Sequence, residues 1–465
     1  MARWLPLLVI GSLAWPGGAG ASVFELFGGG GRSSAMAGAM AAAAHGPEAA
    51  FHNPAMLSES SYGAMSLGFT ATAFATDVRL SRPVCTDTYA TCRKTIGPSF
   101  SHRAPKQPPA NYSVQFGWHA PLAGALKKRV SIAALLTLPL GRVLSISGPD
   151  PQTPHQYMYE GLPDRFALLL AVSARPTDWL SIGIGTQILA SLSSDVKMMI
   201  DVNNHVMDRA EVDVRLQPLA RLVAGAAVRL LPGVRLGASY RQEVNFSYDI
   251  PSDIDIGTSA KALLAVQQKT LYTPNSLHFG ASWIAPSGRL QVALTLSYAM
   301  WASAPDPSPR VEIDLSGSSL DAVGLGDVLD TGQEAAPIRL RMQNTWTPSG
   351  GIEYRAADAF KVRGGYAFRP TPAPRAVGPW NYLDNDAHVV GLGADIGFGE
   401  AIRSRAPGRS DGPVRIDYPL FVRIAAQTTV LPRRTVRKND PNDPVGDFEH
   451  DGVLWHGNLA VGGAW

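Results

Sequence analysis

Beyond its first two dozen residues the sequence has no unbroken apolar run of membrane-spanning length. A helical span needs about 20 such residues, so a helical inner-membrane protein is excluded. Charge is also scarce. Asp, Glu, Lys and Arg make up 17% of the 465 residues, against about 25% in an ordinary soluble protein. The formal net charge of +3 is too small to point to nucleic acid or an anionic surface as a partner. There are two cysteines, Cys85 and Cys92, and their neighbourhood offers too few ligands for zinc. None of the ten histidines sits in HExxH or beside a GxSxG elbow, and spacing alone assembles no Ser–His pair. No GxxxxGK[ST] loop is present to cradle a phosphate. The sequence therefore points to no catalytic residue, no metal and no cofactor.

The N-terminus reads as a secretion signal over residues 1–21. Arg3 supplies the positive end, Trp4 to Trp15 the short apolar core, and Ala19-Gly20-Ala21 a small-x-small cleavage site. In an exported chain Cys85 and Cys92 are expected to close one small disulfide loop. Mean hydropathy is zero, while Gly (46) and Pro (36) are abundant. A transmembrane β-barrel has this signature, because only every second residue faces lipid.

Alternation runs through the chain. Leu290, Val292, Leu294, Leu296 and Tyr298 share one face, and Gln291, Ala293, Thr295 and Ser297 the other. His388, Val390, Leu392, Ala394, Ile396 and Phe398 oppose Val389, Gly391, Gly393, Asp395 and Gly397. Fourteen strands are expected, near 62–76, 111–121, 128–147, 164–175, 179–193, 211–230, 233–249, 271–286, 288–302, 337–355, 360–370, 386–399, 414–430 and 452–465. Most reach the roughly 9–11 residues that a tilted membrane strand needs.

Connections after even strands are tight turns such as Arg175-Pro176-Thr177-Asp178 and Leu231-Pro232-Gly233. Those after odd strands, including 194–210 and 250–270, read as long polar loops. Short turns on one rim and long loops on the other is the outer-membrane arrangement. Gly399 to Pro413 is the exception, a longer connection that either carries a small helix or marks a strand boundary set in the wrong place.

Residues 22–61 cannot form a membrane strand. Ser33 to Ala44 is rich in Ala and Met and predicts a short helix, and Asn53-Pro54 marks a turn. A barrel of about fourteen strands has a water-filled lumen unless something occupies it. This segment is expected to be that occupant.

Here the sequence resembles the FadL/TodX family of outer-membrane transporters for long-chain fatty acids and aromatic hydrocarbons. The resemblance rests on Gly31-Arg32, Ala35-Met36-Ala37-Gly38-Ala39, Ala49-Ala50-Phe51 and Asn53-Pro54-Ala55 ahead of the first strand. Downstream it rests on Arg363-Gly364-Gly365-Tyr366, Pro370-Thr371-Pro372 and Asn381-Tyr382-Leu383-Asp384. It implies a monomeric all-β barrel over 62–465 in the Gram-negative outer membrane, closed by a hatch over 22–61. Cargo would bind near the hatch and leave sideways beside the third strand. The partners implied are outer-membrane lipids and a hydrophobic small molecule.

Pro139 and Gly141 in the third strand are the candidate lateral gate, since Pro cannot donate to a ladder and Gly weakens it. A simple bulge near the rim is the plainer alternative. Phe24, Leu26, Phe27 and Phe51 are candidate ligand contacts, or else hatch packing. Arg32, Arg165, Arg221 and Lys361 are candidate holders of an anionic head. Rival readings are a structural or protein-secretion shuttle barrel of the same family, and a general porin.

Overall fold

The expected alternation builds a closed wall. The computed structural model of the chain describes residues 26–80, 110–126, 129–140, 154–156, 159, 166–201, 206–256, 260–305, 310–316, 340–375, 381–404, 413–438 and 446–465. Phe24, Cys85, Cys92, Gly141, Arg165 and the signal segment lie outside these residues. Fourteen antiparallel strands form the barrel. They are β1 (Ala64–Leu80), β2 (Asn111–Pro121), β3 (Val130–Leu140), β4 (Ala167–Ala174), β5 (Leu180–Asp201), β6 (Val206–Leu231) and β7 (Val234–Arg241), then β8 (Ser276–Ile284), β9 (Leu290–Ala299), β10 (Thr345–Ala357), β11 (Phe360–Arg369), β12 (Ala387–Phe398), β13 (Leu420–Val436) and β14 (Phe448–Ala464). Each pairs with its chain neighbours, and β14 returns to β1 along the register Ala64↔Ala464 to Leu80↔Phe448. Trp465 and Gly63 exchange both backbone hydrogen bonds at the end of that seam, at 3.0 and 3.1 Å.

The two faces differ as the alternation predicts. Leu294, Leu392, Ile424, Leu459 and Val461 are among the large apolar side chains left exposed on the outer face, while Gln291, Thr295, Asp395, Gln427 and Asn458 are buried on the inner one. An apolar outer belt around a polar interior is the surface a lipid-embedded barrel requires. Among the described residues no helix is long and apolar enough to cross a membrane.

Three expectations are corrected. The segments 194–210 and 250–270 are not plain loops. β5 and β6 extend as one long hairpin to Asp201 and Val206, and Val244–Ile256 pairs with Ala260–Thr273, which in turn pairs with Arg310–Ser316. Their polar composition suits a ladder standing clear of the membrane, which has no lipid face to make apolar. The connection after β12 carries a short ladder, Ile402–Ser404 with Arg415–Asp417, instead of a helix.

The Ser33–Ala44 helix is also shorter than expected: the α-helix spans Gly31–Ala35. It stops in a Schellman-type closure, where Gly38 N–H donates to Ser33 O at 3.0 Å and Ala37 N–H to Ser34 O at 3.2 Å. Ala37 takes φ 48° to make that closure. Helix propensity yields here to the barrel wall, which the following chain hugs in irregular turns.

The N-terminal segment lies inside the barrel. Its other elements are a 3-10 turn at Gly46–Glu48, a single α turn at Ala49–His52 and a 3-10 helix at Pro54–Glu59. Nearly every residue from Phe27 to Ser60 is buried. Glycines on the inner wall admit it. A β-carbon on Gly225 would lie 2.0 Å from Asn53 Oδ1, one on Gly237 2.2 Å from Ala41 O, and one on Gly391 2.2 Å from Ser34 O. The segment also meets Gly117 on β2 and Gly183 on β5. It thus touches the wall around most of its circumference, as a plug does.

Candidate ligand-binding site

The plug is seated by charge. Arg32, 1% exposed, donates to Glu353 on β10 at 2.8 Å. Glu353 also receives Arg363 of β11 at 2.7 Å, Arg363 reaches Asp395 of β12 at 2.7 Å, and Asp395 receives Arg423 of β13 at 2.9 Å. Arg423 returns to the plug at Glu48, 3.0 Å away. The chain of alternating charges therefore starts and ends on the plug and crosses four strands between. A second seat lies across the lumen, where Glu59 takes Arg229 at 2.7 Å, Arg235 at 3.5 Å and Ser181 Oγ at 2.8 Å. Buried carboxylates and guanidinia survive because each finds a partner.

Asn53-Pro54-Ala55 holds the plug's tightest corner. Asn53 Oδ1 accepts from Ala55 N–H at 3.1 Å and so caps the 3-10 helix. Its amide donates to Ala41 O at 2.8 Å and to Ala226 O on β6 at 3.1 Å. Pro54 stands at the first helical position, where no N–H is missed. Ala55 O accepts from Ser173 Oγ on β4 at 3.1 Å.

Above the plug, toward the rim that carries the long connections, a cavity of about 210 Å³ opens. Leu26, Phe27 and Phe51 lie in its floor, and Trp301, Ala299 and Val389 in its side. Phe27 stacks on His456 with ring centres 4.3 Å apart. Arg241, at the end of β7, lies over the Phe51 ring at 4.2 Å and binds His278 Nε2 at 3.0 Å. Arg369 enters from β11. The cavity thus has an apolar floor with cationic groups beside it.

Of the four head-holding candidates, Arg32 is engaged with Glu353, Lys361 sits below the plug against Asp417 at 3.2 Å, and Arg221 is not among the cavity's lining residues. Arg241 and Arg369 are the cavity's guanidinia, and alternation could have found the first. Arg241 shares the inward parity of Gly237 and Ser239, opposite outward Leu236.

The fold also brings together Ser33 and His52, with Oγ 2.7 Å from Nε2 and Gly29 N–H reaching the same nitrogen at 3.5 Å. Burial, then Arg241 and Arg32, hold the imidazole well below its usual range, so it stays neutral. Accepting at Nε2 from both, it acts as a clip that folds the start of the plug onto its middle.

At the candidate gate, β2 pairs with β3 through Ser113↔Pro139 to Tyr112↔Leu140. On the other side the β3–β4 ladder ends at Thr137↔Ala167 among the described residues.

No protein-family model matches the chain. Its structure superposes on that of a Pseudomonas aeruginosa FadL homologue with a TM-score of 0.58 at 14% identity, covering 96% of this chain and 99% of that one. The fold is that of the FadL and TodX channels. The Pseudomonas putida toluene transporter TodX matches with a TM-score of 0.53 at 14% identity, over 95% of this chain and 99% of its own. The Ralstonia pickettii toluene transporter TbuX gives 0.50 at 16%, over 95% and 99%. In sequence, alkane uptake protein A of Marinobacter nauticus is 23% identical over 264 residues. That match takes in 52% of this chain, which spans about half the length (54%) of the curated relative.

Proposed function

We propose that this chain is an outer-membrane channel for passive uptake of hydrophobic compounds, such as long-chain fatty acids or aromatic hydrocarbons. The observation that carries the reading is the cavity above the plug, floored by Leu26, Phe27 and Phe51 inside a barrel of the FadL and TodX fold. Residues 22–61 act as its hatch and 62–465 as its wall, after a signal peptide over 1–21. The barrel works as a monomer among outer-membrane lipids.

The energetics suit an apolar cargo. Burial is worth about 0.8 kcal/mol per methylene, so a long acyl chain gains on the order of 10 kcal/mol. No energy source is needed for a step that moves such a tail from a polar surface into apolar surroundings. Arg241 and Arg369 provide for a cargo with an anionic head.

Exit is sideways, beside β3. Among the described residues the β4 ladder ends at Thr137, two residues short of Pro139, which has no N–H to offer. Gly141 continues the weak stretch in sequence. The plug, touching most of the wall, turns cargo toward that opening, which argues against an unselective porin.

The test is uptake of a radiolabelled fatty acid and of toluene into cells that carry this chain as their sole channel of the type. Replacing Pro139 and Gly141 with Val should restore a continuous wall and abolish uptake while leaving binding in detergent intact. Undiminished uptake by that variant would remove the lateral exit. Absence of hydrophobic-tracer binding by the parent protein would remove the transport reading itself.

A further inference from the structure

The underside of the plug has a chamber of its own, on the rim of short turns. It is about 40 Å³, on a scale where roughly 10–15 Å³ admits one water molecule. Five cationic side chains line it, Arg235, Arg289, Arg355, Lys361 and Arg415, against two carboxylates, Glu59 and Glu353. Both carboxylates are already engaged, Glu59 by Arg229 and through one edge of the chamber's own Arg235, and Glu353 by Arg32 and Arg363. Lys361 has Asp417 beyond the chamber edge.

The donors left over converge. Arg355 and Arg235 are each 7% exposed. Arg355 Nε, Arg235 Nη1, Arg415 Nη2 and His45 Nδ1 are all buried without a hydrogen-bond partner, as is Ser60 Oγ on the plug. A buried polar group that finds no partner is destabilising, and more so when charged. Several such groups around one cavity, with an excess of positive charge, call for an anion in preference to neutral water.

We propose that this chamber is a binding site for a phosphate group, held between the plug and the wall. The donors come from three directions: Arg235 on β7, Arg355 at the end of β10 and Arg415 ahead of β13 form the wall side, and His45 and Ser60 face them from the plug. A planar carboxylate offers two oxygens and suits one guanidinium fork, whereas a tetrahedral oxyanion offers oxygens in every direction. A phosphate here joins plug to wall from below, at a place where the ion pairs above leave positive charge uncompensated. The phosphate is either inorganic phosphate or the head of a phospholipid at the rim. The assignment is independent of what the upper cavity carries.

The experiment uses the full-length barrel purified in detergent and titrated calorimetrically with inorganic phosphate, then with dihexanoyl phosphatidate, at constant ionic strength. The expected result is saturable binding of at least one of them, weakened tenfold or more in Arg355→Gln and partly restored in Arg355→Lys. Arg433→Gln, an exposed arginine of β13 that lines neither cavity, should bind phosphate as the parent does. Binding of inorganic phosphate supports the site with a free-ion source, and binding of the phosphatidate alone supports it with a lipid source. If Arg355→Gln does not fold, Ser60→Ala combined with the melting temperature of the parent in phosphate against chloride decides: phosphate should raise it, and by less in the variant. No saturable binding of either probe, or binding unchanged in the Arg355 and Ser60 variants, would overturn the proposal.

Discussion

Gly365 of β11 and Met36 of the plug are in direct backbone contact: a β-carbon on Gly365 would lie 2.3 Å from the Met36 carbonyl carbon. The atoms met are main chain, which no rotamer change can clear. Gly365→Val should therefore lift the plug from this wall without disturbing the outward face of β11. Single-channel conductance in planar bilayers should rise from a closed level to frequent openings. A variant as closed as the parent would show that this contact does not seat the plug.

Glu353 is the carboxylate on which Arg32 and Arg363 meet. Glu353→Gln leaves two buried guanidinia short of counter-charge. Breaking a buried pair by removing one partner costs about 3–5 kcal/mol. The plug should loosen first, since Arg363 keeps Asp395 while Arg32 has neutral partners left in Ala43 O and Gln291 Oε1. Limited proteolysis of the 22–61 segment, compared with the intact barrel, should report that order.

Acid should weaken the plug in two steps. Burial, with Arg32 next, depresses His45, and burial with Arg241 and Arg32 depresses His52, both well below the ordinary 6.5. Unfolded chain takes up these protons below about pH 6.5 while the seated plug does not, so stability is complete above that pH and falls below it. Glu59 behaves likewise lower down. Burial alone would raise it, but Arg235 and Arg229 outweigh burial and hold it below 4.5. Its contribution is present above about 4.5 and lost as pH falls further. Conductance at pH 7.5 and 5.5 should show more openings at the lower value, with a smaller difference in His52→Gln.

Phe51 carries both a ring face for Arg241 and part of the cavity floor. Phe51→Ala removes an aromatic contact worth about 1.5–3 kcal/mol of burial, or roughly 10- to 100-fold in affinity. Binding of a fluorescent fatty acid in detergent should weaken by that factor while the melting temperature changes less than in Glu353→Gln. Equal binding would place the ligand away from the plug.

The wall was legible because its physics is local. Period-two alternation names the outward face at Leu294 and Leu392 and the inward face at Thr295 and Asp395, and neighbouring strands then pair in order. The same parity puts Glu353, Arg363, Asp395 and Arg423 on the inner face, so their presence in the lumen could be read from sequence. Their mutual contacts could not, because they sit on four strands whose registers are set only once the barrel closes. The plug resisted for the opposite reason. Its path from Met36 onward follows the bare backbone at Gly351, Gly365 and Gly237, and propensity for helix counts for little against a surface that close. Asn53-Pro54-Ala55 announced a turn, but not that Asn53 would spend its amide on Ala41 and Ala226.

The seam between β1 and β14 makes assembly a matter of order. The plug runs into β1 through Tyr62 and Gly63, and β1 is one of the two terminal strands whose pairing closes the circle. Aligning all 17 residues of β1 against β14 requires the preceding chain to be on the inner side as the edges come together. An outer-face position would leave Arg32, Glu48 and Glu59 against lipid and their wall partners unpaired. Closure of the wall and capture of its contents are thus one event, and a mutation that delays the first should leave the second undone.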